Sequence, residues 1–336
     1  MKITKFAKLL TDFLSSYLPN QRNIRPNTIK SYRDTFVLFL RYCRDVRGLR
    51  AERLNLEEID PLLVKEFLDH LDKDRHCKIR TRNLRLTALH AFFRYVQTEE
   101  PELMLHCQRI LTIPIQRCAT PAVEYLLPDD LAAILSETDL ENCKGRRDAI
   151  LMSLLYDSGA RVQELIDLSV DDVRLECPAQ ICLHGKGGKK RAVPLMDSTV
   201  DLLREYLQEH SLMEAKDMNK PLFYNRFGKH LSRSGVRYIL EKYTTKAQSK
   251  IKSRLPKVSP HIFRHTKAMH LLQSGNPLVV IRDFLGHADI KSTEIYARAD
   301  LDMKRRALEK ASDKSPTLQM PIWQKDKDLL EWLRTL

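Results

Sequence analysis

Through the first hundred residues, apolar and polar positions follow the spacing of amphipathic helices. Apolar side chains recur every three or four residues from Ile3 to Tyr17, and Pro19 with Asn20 is expected to end that helix. Three further segments show the same period. Short connections between helices favour a compact bundle, so residues 1–100 are predicted to form one helical domain. The four predicted helices span about residues 3–17, 27–42, 61–71 and 81–97.

A proline-punctuated stretch follows this bundle. Pro101, Pro114 and Pro121 interrupt residues 101–123, which are therefore predicted to link two domains. The length of 336 residues also fits two domains better than one.

The second predicted domain, residues 124–311, is again mainly helical, with one exception. The apolar runs Ile181–Leu183 and Arg191–Leu195 flank a glycine-rich turn, which predicts a β-hairpin. The expected fold class is mainly α. An N-terminal four-helix bundle precedes a mixed, mainly α domain with a small β-hairpin or three-stranded sheet.

Two polar residues share one face of a helix in the last quarter of the chain. Ser259 and Pro260 predict the start of this helix, because Ser is a preferred N-cap residue and Pro is favoured at the first helical position. His261 and Arg264 follow three residues apart, so their side chains are neighbours on the helix surface.

Two more polar residues follow at fixed positions. Gly286 is expected to end the next helix, which places His287 at a helix end, and a further helix carries Tyr296. With His261 and Arg264, these residues suit a phenol that attacks a phosphodiester whose oxygens are held by cations. Taken singly, each is more commonly a helix cap or a buried structural group, and that alternative stays open from the residues alone.

An arginine and a lysine-rich loop add candidates upstream. Gly159 ends one predicted helix and Arg161 begins the next, where the alternative to a catalytic role is an ion pair with Glu164. The loop 184–190 is rich in glycine, but it lacks the Walker pattern of nucleotide-binding loops. Its lysines are Lys186, Lys189 and Lys190.

These motifs resemble the signature of the tyrosine recombinase (phage integrase) family, in particular its Xer-like or transposon-encoded members. The family has a His-x-x-Arg pair, which matches His261 and Arg264. It then has Leu-Gly-His and, nine residues after that His, a nucleophilic Tyr, which match His287 and Tyr296. Arg161 matches the first catalytic arginine of the family.

The resemblance implies both a reaction and its residues. The tyrosine would form a 3′-phosphotyrosyl bond with DNA and leave a free 5′-hydroxyl group, with His261 as general base and Lys186, at the hairpin tip, as general acid. The other groups would hold the phosphate oxygens, and neither a cofactor nor a metal is expected. The six implied catalytic residues are Arg161, Lys186, His261, Arg264, His287 and Tyr296.

The formal net charge of +13 favours nucleic acid over membrane as a partner, although a solvated basic surface is the alternative. Clusters of basic residues at predicted helix starts and in loops are candidate phosphate contacts. The candidates are Arg25, Lys30, Arg33, Arg80, Arg82, Arg85, Lys189, Lys190, Arg233, Arg237, Lys250 and Lys252.

The cysteines favour a reducing compartment. There are seven, none in a C-x-x-C pair, which argues against disulfides and a zinc site. No signal peptide or membrane-spanning run is visible, so a cytoplasmic, nucleoid-associated protein is expected.

The expected function is site-specific recombination or integration of double-stranded DNA. The resemblance implies a dimer on one recombination site and a tetramer in the synapse, formed with itself or with a related recombinase. The apolar face of the tail, residues 312–336, docks either on a neighbouring subunit, as the resemblance implies, or on its own domain. Two alternatives remain: a DNA-binding accessory protein of the same fold, and a type IB topoisomerase-like enzyme.

Overall fold

The computed structural model describes residues 4–119, 122–185, 188–214, 217–225, 227–251 and 254–299, together with Arg305, Glu331, Leu333 and Arg334. Residues 1–121 and 122–336 form two compact units. No helix in the described ranges is both long and apolar enough to cross a membrane.

The first unit is a helical bundle around one apolar core. Phe39, Phe67, Phe92 and Phe93 lie at its centre and are almost fully buried. Asp60 caps one helix by accepting a hydrogen bond from the backbone N–H of Leu63, as expected for an N-cap aspartate. The helices are α1 (Lys5–Asp12), α2 (Pro26–Asp45), α3 (Pro61–Lys73), α4 (Ile79–Glu99) and α5 (Met104–Leu111).

Pro19 does not end the first helix as predicted. A π-helix, Phe13–Gln21, continues α1 and contains Pro19. The backbone N–H of Arg22 donates to the carbonyl of Tyr17 at 3.0 Å, five residues back. The wider turn accommodates a residue that has no N–H to donate and whose ring clashes with the preceding turn of an α-helix.

The predicted linker from residue 101 is also corrected. Pro101 begins a short 3-10 turn, Pro101–Leu103, and α5 follows directly. Cys107, Ile110 and Ile113 belong to the same core as α4. The first unit therefore extends to residue 121 and contains one helix more than predicted. Pro101 does not interrupt the helical structure because it lies at the start of a helical turn, where its missing N–H has no partner to lose.

The second unit contains eight helices in the described ranges and a three-stranded antiparallel sheet, which confirms the predicted fold class. The strands β1 (Val173–Arg174), β2 (Gln180–His184) and β3 (Lys190–Pro194) lie in that order, with Ile181 paired to Val193. Apolar residues of α7 form much of the core. The helices are α6 (Pro128–Ser136), α7 (Cys143–Ser158), α8 (Val162–Ile166), α9 (Asp197–Glu209), α10 (Arg233–Gln248), α11 (Pro260–Gln273), α12 (Leu278–Leu285) and α13 (Lys291–Ala299).

Left-handed glycines end the two helices that meet at the candidate site. Gly159 has φ +54° after α7, and Gly286 has φ +64° after α12. Glycine adopts this conformation without the penalty that a Cβ atom brings. Ser259 caps α11 as predicted, its side chain accepting a hydrogen bond from Ile262 N at 3.4 Å.

The predicted tail, residues 312–336, lies outside the described residues apart from the three named above. Its docking on a neighbouring subunit or on its own domain therefore stays a prediction.

Candidate active site

Arg264 lies at the centre of the candidate site and is only 4% exposed. Its Nη1 donates to the carbonyl of Gly159 and its Nη2 to the carbonyl of Leu285, both at 2.7 Å. These carbonyls lie at the C-terminal ends of α7 and α12, where helix carbonyls lack partners within the helix. Burial, Arg161 and Arg191 lower the pKa of Arg264 to about 10, so its guanidinium stays charged near neutral pH.

Arg161 is held by the carboxylate of Glu164. Its Nη1 donates to Oε1 of Glu164 at 2.7 Å, and its backbone N–H donates to Oε2 at 2.9 Å. Burial would raise the pKa of Glu164, but the hydrogen bonds from Arg191 and Arg161 lower it below its usual range. The ion pair between Arg161 and Glu164, which the sequence offered as the alternative to a catalytic role, is therefore present. The Arg161 side chain nevertheless remains 36% exposed.

Arg191, which the sequence did not single out, joins this cluster from β3. Its Nη2 donates to Oε2 of Glu164 at 2.8 Å. One signal was available: side chains of a strand alternate, so Arg191 shares the inward face of Val193, whereas Lys190 points to solvent.

His287 follows Gly286 in the turn between α12 and α13. Its Nδ1 is hydrogen-bonded to Oγ1 of the buried Thr293 at 2.8 Å. Burial, with Arg264 and the other nearby arginines, lowers the pKa of His287 to about 4. The ring is therefore neutral near pH 7, and its Nδ1 is held by Thr293.

Tyr296 is 1% exposed, and its hydroxyl group is hydrogen-bonded to Nδ1 of His265 at 2.9 Å. Burial raises the pKa of Tyr296, while the charges of Arg264 and Arg161 oppose that rise. Burial, His261 and Arg264 lower the pKa of His265 to about 4, so its imidazole is neutral. A neutral imidazole beside a phenol is arranged to accept its proton.

This contact makes His265 a second candidate for the general base, and the role predicted for His261 stays a prediction. His261, the predicted base, is exposed and makes no hydrogen bond to Tyr296 within the described ranges; its ring centre lies 6.5 Å from that of His265. Sequence reasoning missed His265, although its position four residues after His261 places the two rings on one helix face. Desolvation, Arg264 and Arg161 lower the pKa of His261.

Lys186 lies outside the described residues. The residues on either side close the loop, since Gly185 N donates to the carbonyl of Lys189 at 2.7 Å. The structure therefore brings five of the six predicted catalytic residues into one unit, and the position of Lys186 stays a prediction.

Of the predicted DNA contacts, two in α4 are not surface side chains. Arg82 is 6% exposed because it shares the helix face of Leu86 and Leu89, which line the core. Arg85 donates from Nη1 to the carbonyl of Ser31 and to Oγ1 of Thr35, at 3.1 and 3.0 Å, and so joins α4 to α2. Lys252 lies outside the described residues. The others are exposed: Arg25, Lys30, Arg33, Arg80, Lys189, Lys190, Arg233, Arg237 and Lys250.

Three of these exposed side chains already have protein partners. Arg233 donates to Gln163 at 2.7 Å, Arg237 to Glu241 at 2.8 Å, and Lys250 pairs with Glu137 at 2.7 Å. The Arg237 and Lys250 ion pairs each have at least one exposed partner, and such pairs contribute little to stability. The hydrogen bond of Arg233 to Gln163 is also exposed, so all three basic groups can exchange their partner for a DNA phosphate.

One group of possible metal ligands occurs among the described residues, which sequence spacing did not indicate. Asp172, Cys182 and His184 each offer a ligand atom, and these atoms lie within 4.8 Å of one another. His184 Nε2 is hydrogen-bonded to Asp172 Oδ1 at 2.6 Å, and Asp172 Oδ2 accepts from Ser169. These hydrogen bonds account for the arrangement without an ion.

Comparison with known sequences decides the family. The phage integrase family matches residues 124–302, and the phage integrase N-terminal SAM-like domain matches residues 10–100. The chain belongs to the phage integrase family. The resemblance inferred from the motifs is thereby confirmed, and with it the enzyme class: tyrosine recombinases, which break and rejoin DNA.

Relatives within the phage integrase family match along nearly the whole chain. A putative integrase/recombinase, y4rC, of Sinorhizobium fredii is 38% identical over 336 residues, which are 100% of this chain and 99% of the relative. Tyrosine recombinase XerC of Pelotomaculum thermopropionicum is 30% identical over 305 residues, 88% of this chain and 95% of the relative.

A solved structure confirms the fold. The site-specific recombinase XerH, bound to a palindromic difH substrate in a post-cleavage complex, aligns with a TM-score of 0.69 and 23% identity. The alignment covers 89% of this chain and 84% of XerH.

Proposed function

We propose that this phage integrase family member is a site-specific DNA recombinase whose nucleophile is Tyr296. The observation that carries the proposal is the hydrogen bond between its hydroxyl group and the neutral imidazole of His265, within a cluster of arginines. A phenol loses its proton with difficulty near pH 7, so it needs a proton acceptor in contact with it and cations that stabilise its charge.

In the proposed reaction, Oη of Tyr296 attacks a DNA phosphorus and forms a P–O bond while the bond to the 5′ oxygen breaks. The phenolic proton passes to Nδ1 of His265. The leaving 5′ oxygen takes a proton from Lys186, a role that rests on the family motif. The product is a 3′-phosphotyrosyl bond and a free 5′-hydroxyl group, and reversal of the same steps rejoins DNA without a nucleotide.

The charge that develops on the phosphate oxygens is met by Arg161, Arg264 and His287. Arg264 spends two of its five N–H groups on carbonyls, which fix its orientation in advance. Donors fixed before the substrate arrives stabilise a transition state without a reorganisation cost.

The proposed partner is double-stranded DNA with a specific recombination site. The net charge of +13 supports it, and XerH, which shares the fold, is bound to a difH substrate. Recombination of two duplexes cuts four strands. Because each chain has one Tyr296, four protomers in a synapse, two on each site, would supply the four cuts.

Covalent trapping tests this proposal. The protein is incubated with nicked suicide DNA that carries the sequence flanking its own gene, and the products are separated on a denaturing gel. We expect a protein–DNA adduct that disappears in Tyr296→Phe while binding in a mobility-shift assay is retained. The variant loses a single oxygen atom, so the fold should persist.

Three outcomes would contradict the proposal. An adduct that persists in Tyr296→Phe would mean another nucleophile, and tight binding of the wild type without an adduct would favour an accessory DNA-binding role. Relaxation of a supercoiled plasmid that lacks the site would instead indicate topoisomerase-like activity.

A further inference from the structure

Glu164 places a negative charge inside the cation cluster. Its side chain is 4% exposed and accepts hydrogen bonds from Arg161 through both carboxylate oxygens. A guanidinium–carboxylate pair is a strong interaction. Glu164 alone would therefore compete with a DNA phosphate for the charge of Arg161.

Arg191 supplies the charge that offsets Glu164. Its side chain is mostly buried, and its Nη2 donates to Oε2 of Glu164 at 2.8 Å. Two guanidinium groups and one carboxylate leave a net charge of one positive unit at this triad, so Arg161 keeps an attraction for phosphate. Hydrogen bonds from Arg191 and Arg161 also hold the pKa of Glu164 low, despite the opposing effect of burial.

Arg191 also lies against the turn that carries His287. A Cβ atom built on Gly286 would be 2.9 Å from Nη1 of Arg191 and 3.1 Å from its Cδ, so the guanidinium packs on the glycine backbone. Nε of Arg191 is buried and has no hydrogen-bond partner in the part of the chain that the structure describes. The Arg191 side chain is thus fixed between Glu164 on one side and Gly286 on the other.

We propose that Arg191 is a positioning residue for DNA cleavage: by neutralising Glu164 and packing on Gly286, it keeps Arg161 and His287 available to the scissile phosphate. This inference rests on the proposed function. The motifs that identified the site pointed to its neighbours Lys189 and Lys190 instead, both of which are exposed.

A suppressor experiment tests the charge argument. Arg191→Met removes the charge but keeps most of the side-chain volume, and we expect adduct formation on suicide DNA to slow by about 10- to 100-fold, since uncompensated Glu164 draws Arg161 away from the phosphate. Adding Glu164→Gln should recover most of the rate, because the competing carboxylate is then absent. DNA binding should change by less than about 3-fold, because one buried charge contributes little to a large basic interface.

Matched variants separate charge from folding. Arg191→Lys keeps the charge, so its rate should stay within about 5-fold of wild type even if Arg191→Met is less stable. Arg174→Met removes an exposed arginine of the same sheet, whose Nε lies 3.8 Å from Glu176, and should have no effect. Thermal melting of each variant reports whether it is folded.

A substrate with an uncharged scissile group distinguishes an electrostatic role of Arg191 from a purely structural one, because loss of structure would slow cleavage of both substrates equally. With a methylphosphonate at the scissile position, the ground-state phosphate charge is gone, so the ratio of wild-type to Arg191→Met rates should fall toward one. Three results would overturn the inference. The first is an unchanged rate of adduct formation in Arg191→Met, and the second is the same fold-loss of rate on both substrates. The third is a rate in the double variant that is reduced by the product of the two single-variant reductions. Failure of the wild type to form any adduct would instead overturn the proposed function, and this inference with it.

Discussion

The hydroxyl group of Tyr296 makes its hydrogen bond inside the protein, away from water. The side chain is 1% exposed and belongs to a small core cluster with Met269, Leu272 and Leu285. Burial favours the neutral phenol, as it does for any acidic group. In the proposed mechanism the phenol would therefore be protonated before DNA binds, and His265, which is hydrogen-bonded to it, would take its proton.

Replacement of His265 should slow cleavage more than replacement of His261. His265→Ala removes the acceptor bonded to the Tyr296 hydroxyl at 2.9 Å, and we expect adduct formation to fall about 100-fold, the usual contribution of a general base. His261→Ala leaves that bond intact, so its loss should be smaller. Single-turnover adduct formation under saturating protein is the measurement, and the reverse order of effects would support His261 as the general base.

The pH dependence gives an independent check of this assignment. A histidine normally titrates near 6.5, but His265 and His287 both have a pKa of about 4 in the fold. Because these values are lowered, both rings stay neutral as pH falls from 7 to 5, and the proton acceptor is lost only as pH approaches 4. The rate of adduct formation should therefore show no titration with a pKa near 6.5. A titration near 6.5 that disappears in His265→Ala would contradict the assignment.

At the scale of elements, the site is built at helix ends. Arg264 donates to backbone carbonyls at the C-terminal ends of α7 and α12. Gly159 and Gly286 end these two helices in the left-handed conformation. A substitution that alters one of these turns should therefore change catalysis as well as stability.

Gly286→Ala tests this coupling, with Gly275→Ala as its matched control. Both glycines have positive φ, +64° and +85°, so alanine at either position should cost about 1–2 kcal/mol of stability. Only Gly286 has a neighbour in the way, Arg191 Nη1 at 2.9 Å from the added Cβ, whereas Gly275 has nothing within 4 Å. Melting temperatures should fall in both variants, and adduct formation should fall about 10-fold or more only in Gly286→Ala. Equal cleavage rates would show that the turn tolerates the shift.

Local signals explain which elements the sequence could predict. The start of α11 at Ser259 and Pro260 and the end of α12 at Gly286 depend on a few adjacent residues, and the structure has both. The continuation past Pro19 and the helix α5 depend on turn geometry and on packing into a distant core, which local rules do not report. The hydrogen bonds of His265 to Tyr296 and of Arg191 to Glu164 are also non-local, because they join residues 31 and 27 positions apart.

At the scale of the whole molecule, the net charge of +13 overstates the number of side chains free to meet DNA. Exposed basic residues occur in both units, but Arg82 and Arg85 of α4 are turned into the first unit, and Arg146 pairs with Glu209 at 2.5 Å. The sequence could therefore predict a polyanionic partner. Which basic side chains point to solvent and which point into the fold depends on the helix face that each one occupies.

Two arginines of α4 make this distinction measurable. Arg80 is exposed, so Arg80→Ala should weaken DNA binding and lower the slope of log affinity against log salt by about one, the expectation for one lost phosphate contact. Arg85 donates to Ser31 and Thr35 inside the bundle, so Arg85→Ala should leave the salt slope unchanged and lower the melting temperature instead. Fluorescence anisotropy on one DNA fragment from 50 to 200 mM salt, with a thermal melt of each variant, gives both quantities. A reduced slope in Arg85→Ala with no loss of stability would mean that this side chain leaves α2 to bind DNA. An unchanged slope in Arg80→Ala would remove the start of α4 from the DNA-binding surface.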